Sequence, residues 1–161
     1  MENGRNPVRV ICDTHLRMPP QAQVVTTADQ IPTILATCCA DPERQAVYRR
    51  AGCQVLYLNE KNGHVDLRQL MERLGQEQID SILLEGGGTL NWAALECGIV
   101  QQVQAYIAPK LFGGRDAKTP VEGVGVPAPD NAYRLKNSRM ERLGEDLLIE
   151  SEVEYPCSQE S

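Results

Sequence analysis

A glutamate followed by three glycines is the segment of this sequence best suited to bind a ligand. Glu85 precedes Gly86, Gly87 and Gly88, and the apolar residues 82–84 come directly before it. Such a short apolar run predicts a strand that is buried on both faces. The residues after the glycines predict a helix, whose first amides have no acceptor within the helix and therefore suit a phosphate. The segment thus predicts anion binding beside a carboxylate, at the carboxyl end of a strand.

The glycines support two interpretations. Without a Cβ atom they can adopt positive φ and let a second molecule approach the backbone. The apolar residues that follow at helical spacing are Leu90, Ala93, Ala94 and Cys97, and Gly98 is placed to end this helix. The same pattern also fits a tight strand-to-helix turn in which the glycines serve packing only and Glu85 is a surface residue.

The rest of the pattern predicts an α/β fold around this turn. Strands are predicted at residues 8–12, 23–27, 34–39, 54–58 and 102–108. Asp41 has the features of a helix N-cap, and so does Asp66 with Gln69 three residues later. The alternation predicts a mostly parallel mixed sheet flanked by helices, with right-handed crossovers. A C-terminal antiparallel hairpin is predicted over residues 133–155, after an irregular, proline-rich loop at residues 115–131.

Further motifs carry a resemblance to a known family. Residues 106–111 read Tyr-Ile-Ala-Pro-Lys-Leu, Gly113 and Gly114 follow, and residues 6–14 form a predicted strand that ends in Asp-Thr. In order and spacing, these motifs and the Glu-Gly-Gly turn resemble the reductase domain of the bifunctional riboflavin-biosynthesis deaminase/reductase. That domain has a dihydrofolate-reductase-like fold. The resemblance covers nearly the whole chain, whereas the zinc signature of the family's deaminase half is absent from the sequence.

The resemblance implies an activity and a set of site residues. The activity is the NADPH-dependent reduction of 5-amino-6-(5-phosphoribosylamino)uracil, whose ribosyl group becomes ribityl. Glu85 takes the position of the family's substrate-contacting carboxylate. The positions implied to bind the cofactor are Thr14, Gly87, Gly88, Thr89, Leu90, Asn91, Trp92 and Ala93. Thr14 also fits a turn cap and Trp92 a packing role, and the resemblance assigns no catalytic residue within this chain.

The composition of the chain limits its possible binding partners and its cellular compartment. The chain has 161 residues, 42% of them hydrophobic, and a net charge of −6. The acidic balance and the lack of basic clusters argue against nucleic-acid binding, and no apolar run is long enough for a membrane span. The two histidines and the six cysteines, without C-x-x-C spacing, indicate buried thiols and no metal site. We therefore expect a cytoplasmic protein, and the resemblance implies that it acts on a small phosphorylated pyrimidine.

The resemblance also predicts an incomplete domain. Residues 1–156 are expected to form a single, partial reductase domain, and residues 157–161 a disordered tail. In the family, a segment before the first strand seen here supplies two strands, one of which would lie between residues 81–84 and 102–108. Without that strand two sheet edges would be open, so we expect the chain to self-associate as a homo-oligomer and to have little reductase activity alone.

Two other classes of function stay open at this point. One is a non-catalytic nucleotide-binding or subunit module that needs a partner to complete its sheet. The other is an unrelated doubly wound nucleotide-dependent enzyme, such as a methyltransferase. The Ala108-Pro109-Lys110 segment and the two glycines that follow it argue against this second class.

Overall fold

The structure is a computed structural model that describes Gly4 and residues 6–155. Contacts within the chain divide it into two compact units, Met1–Ser81 and Ile82–Ser161, which are described separately below. The predicted tail at residues 157–161 lies outside the described residues, and the interpretation of residues 1–156 as a single domain stays a prediction. In the described part of the chain, no helix has the length and apolar character needed to cross a membrane.

A three-stranded parallel sheet forms the centre of the N-terminal unit. Its strands are β1 (Arg9–Cys12), β2 (Thr33–Thr37) and β3 (Gln54–Tyr57), in the order β1-β2-β3. The helices are α1 (Gln23–Thr26), α2 (Pro42–Arg50) and α3 (Leu67–Gln76). The strands β4 (Glu60–Lys61) and β5 (His64–Val65) pair as a short antiparallel hairpin. The parallel sheet with its connecting helices confirms the predicted α/β class.

The central strand and two helix starts form as the sequence predicts. All five residues of β2 are buried, as expected for an apolar strand paired on both sides in a parallel sheet. The carboxylates of Asp41 and Asp66 each accept hydrogen bonds from two amides in the first turns of α2 and α3. Gln69 does not complete the predicted capping box, because its Oε1 instead accepts a hydrogen bond from the amide of Asn59 at 2.6 Å.

Residues 23–26 form helix α1 and Thr27 is its C-cap, so the strand predicted at residues 23–27 is wrong. Their β-branched side chains favour strands, but this preference depends strongly on context. The turn is closed locally, since the Thr27 hydroxyl donates to the carbonyl of Gln23 at 2.7 Å. Val25 is fully buried and belongs to the same core cluster as Leu35 of β2. Burial of one side of a single helical turn therefore outweighs the β propensity of this short segment.

The loop after β1 is fixed by three side chains. The carboxylate of Asp13 accepts hydrogen bonds from two loop amides, including that of Met18 at 2.8 Å. Tyr48, only 4% exposed, donates its hydroxyl to the Met18 carbonyl at 2.6 Å. The guanidinium of Arg44 donates to two further loop carbonyls. These bonds fix residues 15–18, directly after Thr14.

One α-helix, a short 3-10 helix (Pro129–Asn131) and an antiparallel sheet form the C-terminal unit. The α-helix is α4 (Gly88–Glu96), and the strands are β6 (Gln102–Ile107), β7 (Arg134–Leu143) and β8 (Asp146–Glu154) in the order β6-β8-β7. The predicted hairpin is confirmed as β7 and β8. In the sequence of this second arm, Leu147, Ile149 and Val153 alternate with glutamates, which predicts a buried and a solvent-facing set of side chains. This holds only in part, because Leu148 lies in the set with the glutamates and is nevertheless buried.

Residues 82–84 do not form the predicted strand. No strand of the described residues pairs with them, and the three side chains are 42%, 73% and 39% exposed. An apolar run favours burial in a sheet, but a strand also needs a neighbour that supplies backbone donors and acceptors. The expected self-association and low activity of the chain stay predictions.

Substitution of Tyr48 tests how the loop after β1 is held. We expect Tyr48→Phe to lower the free energy of unfolding by about 1–2 kcal/mol, because the Met18 carbonyl loses its donor. Urea unfolding followed by circular dichroism measures this change. The matched control is Tyr57→Phe, at a position that is 53% exposed, which should change the free energy by less than about 0.5 kcal/mol. Equal effects of the two substitutions would contradict this account of the loop.

Candidate functional site

The glycine turn leads directly into α4 and leaves the start of this helix uncapped. Gly87 is the N-cap residue, and no side chain of the described residues caps the helix there. The first helical hydrogen bond runs from the Asn91 amide to the Gly87 carbonyl at 3.1 Å. The amides of Gly88, Thr89 and Leu90 therefore have no acceptor within the helix. Because the first turn of α4 also carries no acidic residue, the positive end of its dipole can attract an anion.

The three glycines provide space rather than positive φ, which corrects the explanation drawn from the sequence. None of them is among the described residues that have positive φ. A Cβ atom on Gly86 would lie 2.7 Å from Cδ2 of Leu90, and one on Gly88 would lie 2.8 Å from the amide nitrogen of Glu122. A Cβ atom on Gly87 would meet nothing within 4 Å. Gly87 therefore faces open space from which a ligand can approach the backbone.

A cleft of about 320 Å³ opens in front of this turn. The residues that line it are Gly86, Gly87, Gly88, Thr89, Lys118, Thr119, Pro120 and Glu122. Two hydrogen bonds fasten the later loop to α4, from the Glu122 amide to the Gly88 carbonyl at 3.0 Å and from Nδ2 of Asn91 to the Pro120 carbonyl at 2.8 Å. The sequence predicted only an irregular loop at residues 115–131, because the composition of a loop does not indicate which helix the loop will contact. The loop residues of the cleft were therefore missed.

The side chain of Trp92 packs against the C-terminal unit's own residues. Its ring centroid lies 6.0 Å from that of Tyr133, and a Cβ atom on Gly123 would overlap the indole. Nε1 of Trp92 and Oδ1 of Asn91 are buried without a hydrogen-bond partner among the described residues. The packing favours the structural interpretation of the Trp92 side chain, while a contact of its backbone with a cofactor stays a prediction.

The other predicted site residues of this segment do not all line the cleft. Thr89 lines the cleft, and the side chain of Leu90 occupies the space that a Cβ atom on Gly86 would need. Ala93 is partly buried further along α4, and Glu85 is exposed immediately before the turn. The structure therefore brings Gly87, Gly88 and Thr89 together at one cleft, with Glu85 adjacent in sequence but not part of its lining.

Thr14 lies in the N-terminal unit, in the loop fixed by Asp13. The carbonyl of Thr14 accepts hydrogen bonds from the Cys38 amide at 2.9 Å and from the Thr37 hydroxyl at 3.1 Å. The carboxylate of Asp13 accepts the hydrogen bonds that cap the loop. The capping role considered for Thr14 is therefore filled by Asp13. A cofactor contact of the Thr14 hydroxyl stays a prediction.

The described thiols are free, and burial suppresses the reactivity of Cys12. Cys53 is buried, the other four described cysteines are partly buried, and all five are free, whereas Cys157 lies outside the described residues. Burial, with a smaller effect of the neighbouring Cys38, raises the pKa of Cys12 to about 11. Cys12 is therefore a protonated thiol at neutral pH, and the reactive thiolate is suppressed.

Comparisons of the sequence find relatives in riboflavin biosynthesis. The chain is 46% identical over 156 residues to the riboflavin biosynthesis protein RibD of Actinobacillus pleuropneumoniae, covering 97% of this chain and 42% of that protein. It is 42% identical over 151 residues to the 2,5-diamino-6-ribosylamino-4(3H)-pyrimidinone 5′-phosphate reductase of Methanothermobacter thermautotrophicus, covering 93% of this chain and 68% of that protein. The chain thus spans less than half of the first relative and about two thirds of the second.

The fold is also found among solved structures. RibD of Acinetobacter baumannii matches with a TM-score of 0.72 and 23% identity, over 91% of this chain and 37% of that one. The predicted dihydrofolate-reductase-like fold is confirmed by this similarity. The family described as the RibD C-terminal domain matches residues 1–149. With its glycine turn, α4 and the following strand in the expected order, the chain belongs to the family of RibD C-terminal domains.

Proposed function

We propose that the chain binds NADPH at the glycine turn and reduces the ribosyl group of 5-amino-6-(5-phosphoribosylamino)uracil to ribityl. The observation that carries this proposal is the uncapped start of α4 beside the open backbone of Gly87. Membership of the RibD C-terminal domain family supports it, and so does the extensive similarity to a relative named as a reductase. Reduction of a ribosyl carbon requires a hydride donor, and a reduced nicotinamide supplies this hydride when bound.

The residues of the turn fit the pyrophosphate of a dinucleotide. The three free amides at the start of α4 can donate to phosphate oxygens, and the helix dipole favours their negative charge. The space in front of Gly87 lets such a group approach the backbone. We assign cofactor binding to Gly87, Gly88, Thr89, Leu90, Asn91, Trp92 and Ala93, largely through their backbone, and to the Thr14 hydroxyl.

We assign substrate binding to Glu85. Its exposed carboxylate directly precedes the turn, and a carboxylate accepts hydrogen bonds from hydroxyl and amino groups. A ribosylaminopyrimidine offers donors of both kinds. Because the family has been identified, an unrelated doubly wound methyltransferase is no longer a competing interpretation.

One observation favours a second substrate. The Methanothermobacter relative is named for 2,5-diamino-6-ribosylamino-4(3H)-pyrimidinone 5′-phosphate, which carries an amino group at the ring position where the uracil compound has a carbonyl. Turnover measured with each compound separates the two proposals. Faster reduction of the diamino compound would replace the uracil substrate by this second one.

The cofactor assignment is tested by filling the open space at the turn. We expect Gly87→Val to weaken NADPH binding by about tenfold or more, because the new side chain blocks charge-assisted hydrogen bonds to the amides. Fluorescence titration of the 161-residue chain measures the affinity. Gly75→Val is the matched control, since a Cβ atom there also meets nothing within 4 Å, and it should leave binding unchanged. Unchanged NADPH affinity in Gly87→Val would show that the turn is structural only.

The substrate assignment is tested by neutralising Glu85. We expect Glu85→Gln to lower kcat/KM by about tenfold or more while NADPH affinity stays the same, because a charged acceptor is lost only toward the substrate. Steady-state rates and nucleotide titration supply the two readouts, and Glu72→Gln, exposed on α3, is the control. Wild-type kcat/KM in Glu85→Gln would remove this residue from the site.

The same assays address the non-catalytic alternative. A chain that binds NADPH but reduces neither pyrimidine compound would be a nucleotide-binding module rather than an enzyme. A chain that binds no pyridine nucleotide at all would contradict the proposed function as a whole.

A further inference from the structure

The residues facing the glycine turn include one cation to which no role has been assigned. Lys118 and Thr119 line the same cleft as Gly87 and Gly88. Lys118 is the only cationic side chain among the lining residues, and Glu122 is the only acidic one. The cleft therefore combines free backbone amides with one ammonium group and one carboxylate.

The loop that carries Lys118 is anchored to α4 just after this residue. The carbonyl of Pro120, two residues later, accepts the hydrogen bond from Asn91 at 2.8 Å, and the Glu122 amide bonds to Gly88. Gly123 has a φ of +119° and packs its backbone directly on the indole of Trp92. Any side chain at residue 123 would be strained and would also overlap the ring. Contacts of residues 120, 122 and 123 thus hold the loop against α4. Lys118 precedes the first of these residues by two positions.

The ammonium group of Lys118 is available for a ligand. Within the described part of the chain, Lys118 takes part in no salt bridge, and its side chain is exposed. Glu122 lines the same cleft but forms no salt bridge with Lys118, so the ammonium group stays free to bind an anion beside the open amides. A phosphate group there would accept hydrogen bonds from the amides and a charge-assisted hydrogen bond from the lysine.

We propose that Lys118 binds the pyrophosphate of the dinucleotide from the loop side of the cleft. This inference rests on the proposed function and adds a residue that the resemblance does not assign. The pyrophosphate is common to NADPH and NADH, whereas only NADPH carries a 2′-phosphate. Lys118 therefore contributes affinity for both nucleotides and does not discriminate between them.

The test is nucleotide titration of the 161-residue chain carrying Lys118→Gln. We expect the affinities for NADPH and for NADH to fall by the same factor, about tenfold, because one charge-assisted hydrogen bond is lost. Lys118→Arg keeps the charge and should retain affinity within about threefold of wild type. Lys136→Gln makes the same charge change on β7, outside the cleft lining, and should leave both affinities unchanged.

Three results would overturn the inference in distinguishable ways. Wild-type affinities in Lys118→Gln, while Gly87→Val still weakens binding, would reject the role of Lys118 and leave the proposed function standing. A loss confined to NADPH would place the lysine at the 2′-phosphate rather than at the pyrophosphate. Failure of the wild-type chain to bind either nucleotide would reject the proposed function and this inference together.

Discussion

The unpaired amides at the start of α4 are the feature on which the proposed site depends. A helix start without a capping side chain leaves three amides for water or a ligand to satisfy. In α2 and α3 of the same chain, Asp41 and Asp66 satisfy such amides directly. At α4 the N-cap is Gly87, which has no side chain to do so. Side chains therefore cap the starts of α2 and α3, whereas the start of α4, after the glycine turn, has no capping side chain among the described residues.

Close packing around the turn maintains this open helix start. Gly86 and Gly88 admit Leu90 and the loop residue Glu122 at distances that a Cβ atom would prevent. The loop is in turn bonded to Asn91 and packed on Trp92. Most side chains near the turn thus serve to hold the backbone, and Gly87 is the position left free. A site of this kind uses its backbone for binding and its side chains for geometry, consistent with chemistry that a cofactor supplies.

Local signals explain what the sequence could predict. The aspartates before α2 and α3 and the glycine after α4 depend on neighbours a few residues away, and each formed as expected. The hairpin also formed, although its division into buried and solvent-facing residues holds only in part. The failures concern non-local contacts. Residues 23–26 form a helix because of core burial, and residues 82–84 lack a pairing strand among the described residues.

The glycine turn shows the same limit within the candidate site. Its residues and the helix after them could be identified from the sequence, but the reason for the glycines could not. For Gly88 that reason is the approach of Glu122, which is separated from the turn by more than thirty positions. Lys118 could not be recognised either, because the sequence of an irregular loop does not indicate which cleft its lysine will line.

The most direct test of the account is the response of individual amides to NADPH. Titration of the isotopically labelled 161-residue chain, followed by amide NMR, reports which backbone groups the nucleotide contacts. We expect the largest changes at the amides of Gly87, Gly88, Thr89 and Leu90, with saturation at the same nucleotide concentration. Saturable binding of NADPH that leaves these four amides unperturbed would contradict the claim that the glycine turn holds the cofactor.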